Sequence, residues 1–490
     1  MSEAQPGYRI DDPEFWSPPH LEGELRRVFQ ICNGCRLCYN LCPSFPALLN
    51  RIDELDPHRA DAEGRLLAEG APIEEHEAAK ALEGVTVATE NPVDRLGQAD
   101  LRRVVDLCYN CKLCFPICPY VPPHEFAVDF PRLMLRAKAV RAREDGVTLQ
   151  DRFLGATELV GSVMTKLPGL ANWASHNGFN RMLMEHAVGI HRDRNLPPWA
   201  GETFEAWWSK RRAGKGSEGP EAGDGPRALL FYTCFGNYND PEPAQAAVEV
   251  LERNGVAVAA PPMRCCGMPA LDGGDVDQCL QQARENVARL LPWVKAGYAV
   301  VSPGPTCTFM LRQEYPQLLP TEDAKAVAAA VRDLGEYLFE LKRAGKLDRR
   351  LASEGPLKIA YHFPCHLKVQ KIGPKSRDLL RLIPDVEVET VDRCCGMDGT
   401  WGMKKEYYEL SLKVAEKATE QIGAAAAAPG PEGRPPPALA VSSDCPLAAL
   451  QLEKTTGRKG VHPIVLLRDA YRAADRAAAQ AGADPAREGQ

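Results

Sequence analysis

The sequence predicts an α + α/β chain: a helical, cysteine-rich N-terminal domain followed by two duplicated α/β modules, each built around a Cys-Cys-Gly triplet. Three observations predict it. Two cysteine runs of identical spacing, Cys32, Cys35, Cys38, Cys42 and Cys108, Cys111, Cys114, Cys118, flank a mostly helical, acidic stretch. Beyond residue 226, short β-branched or apolar runs alternate with amphipathic stretches, the pattern of α/β units around a mostly parallel sheet. Within that half, Cys234, Cys265, Cys266 and Cys307 recur as Cys365, Cys394, Cys395 and Cys445 at offsets of 131, 129, 129 and 138 residues, and near-constant offsets indicate a duplication.

A chain of 490 residues suits roughly three domains of about 150 residues each. We divide it into a cysteine-run domain over 1–140, a helical connecting segment over 141–210, a linker over 211–226, a first module over 227–345 and a second over 346–480. The linker, RRAGKGSEGPEAGDGP, carries no apolar residue larger than Ala. Apolar spacing through 125–195 (Phe126, Leu133, Met134, Leu135, Phe153, Leu154, Leu159) predicts helices packed behind the cysteine loops. Strands are expected at Ala228–Thr233, Val256–Ala260, Tyr298–Ser302, Leu357–His362, Val386–Thr390 and Leu439–Ser443, separated by helices such as Pro243–Asn254, Val276–Lys295 and Lys404–Ile422. The low-complexity insertion Ala424–Pro437 accounts for the largest of the four offsets.

A net charge of -7 and a pI near 5.9 supply no basic field for a phosphate backbone, which argues against nucleic-acid binding. Met1–Trp16 is polar and acidic, and no stretch approaches 18 consecutive apolar residues, so a cytoplasmic protein is expected. Seventeen cysteines in a reducing compartment point to metal ligation rather than disulfides.

Each N-terminal run puts three thiolates on a tight loop, and its fourth cysteine precedes a proline, at Cys42-Pro43 and Cys118-Pro119. Three close cysteines plus a distant Cys-Pro match cubane geometry, whereas tetrahedral zinc uses two pairs and a spacer. In two-run chains the fourth cysteine ligates the other cluster. This assigns Cys32, Cys35, Cys38 and Cys118 to one 4Fe-4S cluster and Cys108, Cys111, Cys114 and Cys42 to the second, in a ferredoxin-like domain. Gly34 is expected to take the left-handed conformation that turns amides toward the sulfurs.

Adjacent cysteines on a regular strand face opposite ways, and a following glycine permits a turn that brings both round. Cys234, Cys265, Cys266 and Cys307 thus form one expected metal set, and Cys365, Cys394, Cys395 and Cys445 another, holding a further iron-sulfur cluster or zinc. Cys279 reads as core. His362 and His366 flank Cys365 and read as structural histidines rather than donors to a sulfur, and His124 as fixing the exit of the second loop. His462 opens the last strand or helix. Trp199, Trp207 and Trp208 are expected to pack on the N-terminal domain, and Glu74, Glu75, His76 and Glu77, with Asp53, Glu54 and Asp56, to give an acidic rim. No phosphate-binding glycine loop appears, so a flavin or nicotinamide must reside elsewhere.

Over about residues 25–470, the twin runs and two Cys-Cys-Gly modules resemble the iron-sulfur subunits of glycolate oxidase and anaerobic glycerol-3-phosphate dehydrogenase, and a heterodisulfide reductase subunit. Gln30–Pro43 and Pro119–Lys138 look like a branch associated with rubrerythrin-like partners. The resemblance implies an electron relay without a flavin of its own. It would run between a flavoprotein dehydrogenase or reduced carrier and a quinone or rubrerythrin-like acceptor, with peripheral attachment at the inner membrane face. Modules that cleave heterodisulfides end in Cys-x-x-Cys, but Cys307 and Cys445 stand alone. Disulfide or quinone chemistry at a Cys-Cys-Gly centre is therefore the rival reading, and zinc-bound docking scaffolds are another.

Overall fold

The computed structural model describes residues 9–56, 91–214, 219–220, 225–427 and 438–482. The acidic stretch expected at residues 74–77 lies outside them. Helix α1 (Pro18–Cys35) begins at the Ser17 cap with prolines in its first turn, where a missing N–H costs nothing, and buries Leu21, Leu25, Val28 and Phe29 along one face. It packs with α2 (Ser44–Leu55), α3 (Gln98–Leu107) and α4 (Phe130–Asp145) around Phe29, Phe45, Leu48, Val104 and Met134. Every residue of α4 from Phe130 to Val140 is buried, because this helix is the strut between the cysteine-run domain and the modules.

Four short helices follow: α5 (Leu149–Gly155), α6 (Thr157–Met164), α7 (Pro168–His176) and α8 (Gly178–Val188). The expected packing behind the cysteine loops does not extend to every apolar residue of this segment: Leu159 is 67 % exposed and Phe126, ahead of α4, 41 %. Phe153 and Leu154, by contrast, face a cavity described below. Helix α9 (Phe204–Arg211) is also reassigned. Phe204 and Trp208 sit in a core with Leu230, Tyr232 and Val248, so these aromatics pack on the first module and not on the N-terminal domain.

The duplication is visible as two copies of one sheet. Strands β1 (Arg227–Leu230), β2 (Ala257–Ala259), β3 (Ala299–Ser302) and β4 (Val331–Asp333) pair in the order β2-β1-β3-β4. Strands β5 (Leu357–His362), β6 (Val386–Val391), β7 (Ala438–Ser443) and β8 (Gly460–Val461) pair in the order β6-β5-β7-β8. All pairings are parallel, as crossover helices require. Among those helices are α10 (Glu242–Arg253), α11 (Val276–Lys295), α12 (Tyr408–Ala427), α13 (Pro446–Thr456) and α14 (Pro463–Gly482). One apolar core joins Leu230 and Val248 of the first module to Ile359, Leu380 and Ile464 of the second, fixing them face to face. Among the described residues no helix is long and apolar enough to cross a membrane.

Candidate functional site: four cysteine sets and a shared cavity

In the first run the helix carries straight through Gly34 to Cys35, so Gly34 does not make the expected turn. Arg36 makes it, at φ 55°. A bulky left-handed residue needs outside support, and Arg36 has it: its guanidinium pairs with Asp53 at 2.6 Å and bonds the Asn33 carbonyl at 3.0 Å. Asp53 is thus part of the loop's scaffold, while Glu54 pairs with Arg51 at 2.9 Å. In the second run Asn110 and Lys112 are left-handed, at φ 50° and 59°. At its exit His124 accepts the Phe126 N–H at 3.1 Å and stacks edge-on against Tyr120.

Cys32, Cys35, Cys38 and Cys118 line one small cavity of about 30 Å³. Cys42 is brought instead beside Cys108, Cys111 and Cys114. Burial and then repulsion by neighbouring sulfurs push the Cys38 thiol up to about 11, and burial does the same for Cys108. Four such groups therefore resist ionising together unless a positive core lies between them. Backbone N–H groups point at the sulfurs: Ser44 and Phe45 at Cys42, Asn110 at Cys108, Leu113 at Cys111, Tyr120 and Val121 at Cys118. This donor set fits an iron-sulfur cluster, whose potential such hydrogen bonds tune.

In the first module Cys234 and Cys307 follow the ends of β1 and β3, and the double cysteine turns through Gly267 at φ 90°. The Cys234 and Cys265 sulfurs lie 3.7 Å apart, and Cys266 faces Cys307. Hydrogen bonding with Cys234 and Cys266 holds the Cys265 thiol well below its ordinary value. Cys279 is a core residue, as expected, and packs beneath Gly267. Two residues of α6, which sequence reasoning missed, serve this loop. Glu158 accepts from Arg264 Nε at 2.9 Å and from the Cys265 N–H at 3.1 Å. The buried Thr157 hydroxyl has no oxygen or nitrogen partner among the described residues and is aimed at the Cys234 and Cys265 sulfurs.

The second module repeats the plan with Cys365, Cys394, Cys395 and Cys445. Gly396, at φ 69°, donates its N–H to Cys394 at 3.4 Å, and the first amides of α13 point at Cys445. His362 bonds Ser443 Oγ at 3.1 Å and the Arg393 carbonyl at 3.2 Å. His366 bonds Thr306 Oγ1 at 2.9 Å and the Asn110 carbonyl at 3.3 Å. Both rings have spent their nitrogens on protein, and burial lowers both to about 4, so they tie elements together as neutral imidazoles. His462, just before α14, bonds the Pro303 carbonyl at 2.9 Å and links the modules.

The sets are contiguous. Tyr109 OH lies 3.5 Å from Cys394 Sγ, its ring contacts Trp401, and Cys111 and Cys42 are close on the other side. Cysteines of both modules open on a shared, mostly apolar cavity of about 300 Å³, including Cys234, Cys265, Cys266, Cys307, Cys365 and Cys445. Two buried carboxyl groups stand on its wall. Asp272 pairs with Lys138 at 2.8 Å, and despite burial this charge holds it down at about 2. Burial, and then the Asp272 charge, raise Asp398 well above its ordinary value.

Residues 25–146 match the family model described as the Citrate utilization protein B Fer4-like domain, and residues 228–312 and 359–430 match the Cysteine-rich domain. The chain is 31% identical over 406 residues to a subunit of the anaerobic glycerol-3-phosphate dehydrogenase of Escherichia coli (strain K12), a match that spans 74% of this chain and 98% of that relative. The chain belongs to this family of iron-sulfur electron-transfer proteins. It is 27% identical over 391 residues to the glycolate oxidase iron-sulfur subunit of Escherichia coli (strain K12), across 78% of this chain and 82% of the relative. It is 30% identical over 185 residues to lactate utilization protein A of Bacillus pumilus (strain SAFR-032), across 36% and 74% respectively. The family thus joins two domain types that the sequence shows as cysteine runs and Cys-Cys-Gly modules.

Proposed function

We propose that this chain relays electrons from a flavoprotein dehydrogenase to a quinone reduced in the cavity between its two modules. The observation that carries the reading is the unbroken succession of cysteine sets: from Cys32, Cys35, Cys38 and Cys118, to Cys42, Cys108, Cys111 and Cys114, to Cys394 beside Tyr109, and so to the cavity. When bound, a 4Fe-4S cluster takes up and gives out one electron at a time. Near the first set Leu37, Tyr39 and Ile117 are exposed, a rim suited to a docking flavoprotein. At the far end the cavity is mostly apolar, which favours a quinone over a rubrerythrin-like protein as acceptor. Asp398, whose carboxyl group burial and the Asp272 charge raise well above its ordinary value, stands on that wall as the candidate proton donor to a ligand that gains electrons there. Single terminal cysteines in both modules argue against disulfide cleavage.

The swapped ligation has a direct test. Low-temperature paramagnetic spectra of anaerobically prepared, dithionite-reduced Cys42→Ser are expected to lack the signal lost in Cys108→Ser and to keep the one lost in Cys32→Ser. If Cys42→Ser and Cys32→Ser lose the same signal, the swap is wrong. Metal analysis separates the two module chemistries: about sixteen irons per chain for four clusters, or about twelve irons and one zinc for a single zinc module.

With Cys394 ligating iron as a thiolate, the Tyr109 hydroxyl 3.5 Å away would be the donor, and its hydrogen bond would favour the more negative, reduced state. Tyr109→Phe removes a hydrogen bond of about 1 kcal/mol, and a tenfold or 1.4 kcal/mol change equals about 59 mV for one electron. The second-module centre is therefore expected to titrate roughly 40 mV lower in the variant. An unchanged potential in a spectroscopically monitored titration would remove Tyr109 from its surroundings.

A further inference from the structure

A quinone reduced in the shared cavity needs protons as well as electrons, and most of the cavity wall is apolar. Among the described residues the carboxyl groups on that wall are Asp272 and Asp398. A protonated carboxyl group serves one transfer, and repeated turnover requires that it be reloaded from water.

A line of polar side chains runs from the surface to these groups. Thr148, exposed at the cap of α5, donates its hydroxyl to Asp151 Oδ2 at 2.7 Å. Asp151 Oδ1 accepts from Lys404 Nζ at 2.6 Å, and the two side chains are only 11 % and 15 % exposed. Lys404 follows a short 3-10 turn (Trp401–Met403), and Thr400, just before the same turn, donates to Asp272 Oδ2 at 2.5 Å. One turn thus puts an ammonium on Asp151 and a hydroxyl on Asp272. The two carboxylates belong to neighbouring backbone, since a Cβ added at Gly273 would stand 2.9 Å from Asp151 Cβ. From the other sides Asp272 Oδ1 accepts from Lys138 Nζ of α4 at 2.8 Å and from Asn110 Nδ2 of the second cysteine loop at 2.7 Å. Against burial, Lys138 and then Lys404 hold Asp272 ionised, and its charge in turn raises Asp398.

A buried ion network can serve as a fastening alone. The equally buried contacts of Glu314 with Lys112 and Arg132 are of that kind, because none of the three lines the cavity. The line through Lys404 differs in having one end in solvent and the other on the cavity wall.

We propose that Thr148, Asp151, Lys404 and Asp272 carry protons from solvent to the quinone cavity and reload Asp398. The proposal rests on the quinone reading. Forming a quinol takes two electrons, supplied by the dehydrogenase partner through the cysteine sets, and two protons, one on each quinone oxygen. Each proton that leaves Asp398 is replaced through Asp272 from the Lys404 ammonium, whose four-carbon stem lets it turn from Asp151 toward Asp272. Water at Thr148 and Asp151 then returns a proton to Lys404.

Holoprotein reduced with stoichiometric dithionite is mixed by stopped flow with menadione or with ferricyanide, in weak buffer containing a pH indicator. Menadione takes up protons as it is reduced, and ferricyanide does not. Compared at equal iron content, Lys404→Met, Lys404→Arg and Asp151→Asn are expected to slow menadione reduction and its proton uptake at least tenfold, and to reduce ferricyanide at the wild-type rate. Arginine is the decisive replacement, because it keeps the ion pair with Asp151 and does not release its proton. Lys404→Arg that matches the wild type makes the pair a fastening and overturns the proposal. Variants that slow both acceptors alike also overturn it, since the fault then lies in electron transfer. Asp151→Asn, which still offers Lys404 an oxygen, carries the test if the lysine variants lose iron. Wild type that reduces ferricyanide but not menadione removes the quinone reading and the proton line with it, an outcome distinct from any failure confined to the variants.

Discussion

Replacing Glu314 with glutamine is expected to cost about 3–5 kcal/mol, the typical loss when one member of a buried ion network is removed. Glu314 is wholly buried in a π-helical turn (Met310–Glu314) just after Cys307. It accepts from Lys112 Nζ at 3.0 Å and from Arg132 Nη2 at 3.2 Å. Lys112 belongs to the second cysteine loop and Arg132 to α4, so one carboxylate fastens the N-terminal domain to the first module. Glutamine leaves Lys112 buried without an anion and Arg132 with Asp129, 2.9 Å away. Denaturation of anaerobic protein, followed by tryptophan fluorescence, checks the value. A loss below about 1 kcal/mol, the scale of a surface ion pair, would mean the contact is solvated in solution.

The same network sets an acid limit. Burial raises Glu314, but Arg132 and Lys112 more than reverse that and leave it at about 2, below its ordinary value of 4.5. A carboxyl group depressed by folding contributes stability above its unfolded value and loses it as pH falls toward the folded one. The contribution of Glu314 should therefore fade between about pH 4.5 and 2. Glu314→Gln, already lacking it, should show a flatter stability profile there.

The duplicated sheet was legible because Leu357–His362 and its neighbours are buried, branched and bounded by turn residues, and the observed β5 has those limits. Strand β4 was not: Val331–Asp333 follows an alanine-rich helix and is too short for alternation to register. The grouping of three cysteines on each N-terminal loop was legible from spacing, since a tight loop places its thiols by local geometry. What spacing hides is support from afar. The turn expected at Gly34 moved to Arg36 because α1 gains a further residue of helix while Asp53, on α2, holds the strained arginine. Glu158 was invisible because its partner Arg264 lies 106 residues away; the one local signal was an arginine placed directly before a double cysteine. The exposure of Leu159 on α6 was missed for a physical reason. Apolar periodicity reports that a helix has an apolar side and cannot say whether the rest of the chain covers it.

Gly396→Ala should empty the second module of metal while sparing the rest. The residue turns the Cys394-Cys395 pair at φ 69°, where an L side chain pays about 1–2 kcal/mol. That alone would be survivable. An added Cβ, however, would stand 2.0 Å from the Ser411 carbonyl oxygen of α12, a backbone atom that cannot rotate aside. Either α12 or the double cysteine must move, and the loop, which lacks the continuous hydrogen-bond ladder of a 20-residue helix, is the part that yields. Gly399→Ala separates the two causes: its φ is 39° but nothing lies within 4 Å of a new Cβ, so only the backbone penalty applies. Metal analysis is expected to show full content in Gly399→Ala and one module's loss in Gly396→Ala, with both N-terminal paramagnetic signals kept. Because Tyr109 joins the N-terminal sets to Cys394, Gly396→Ala should still accept electrons from dithionite yet fail to pass them to a quinone. Full metal content with normal quinone reduction would mean that the double cysteine of this module holds nothing the relay uses.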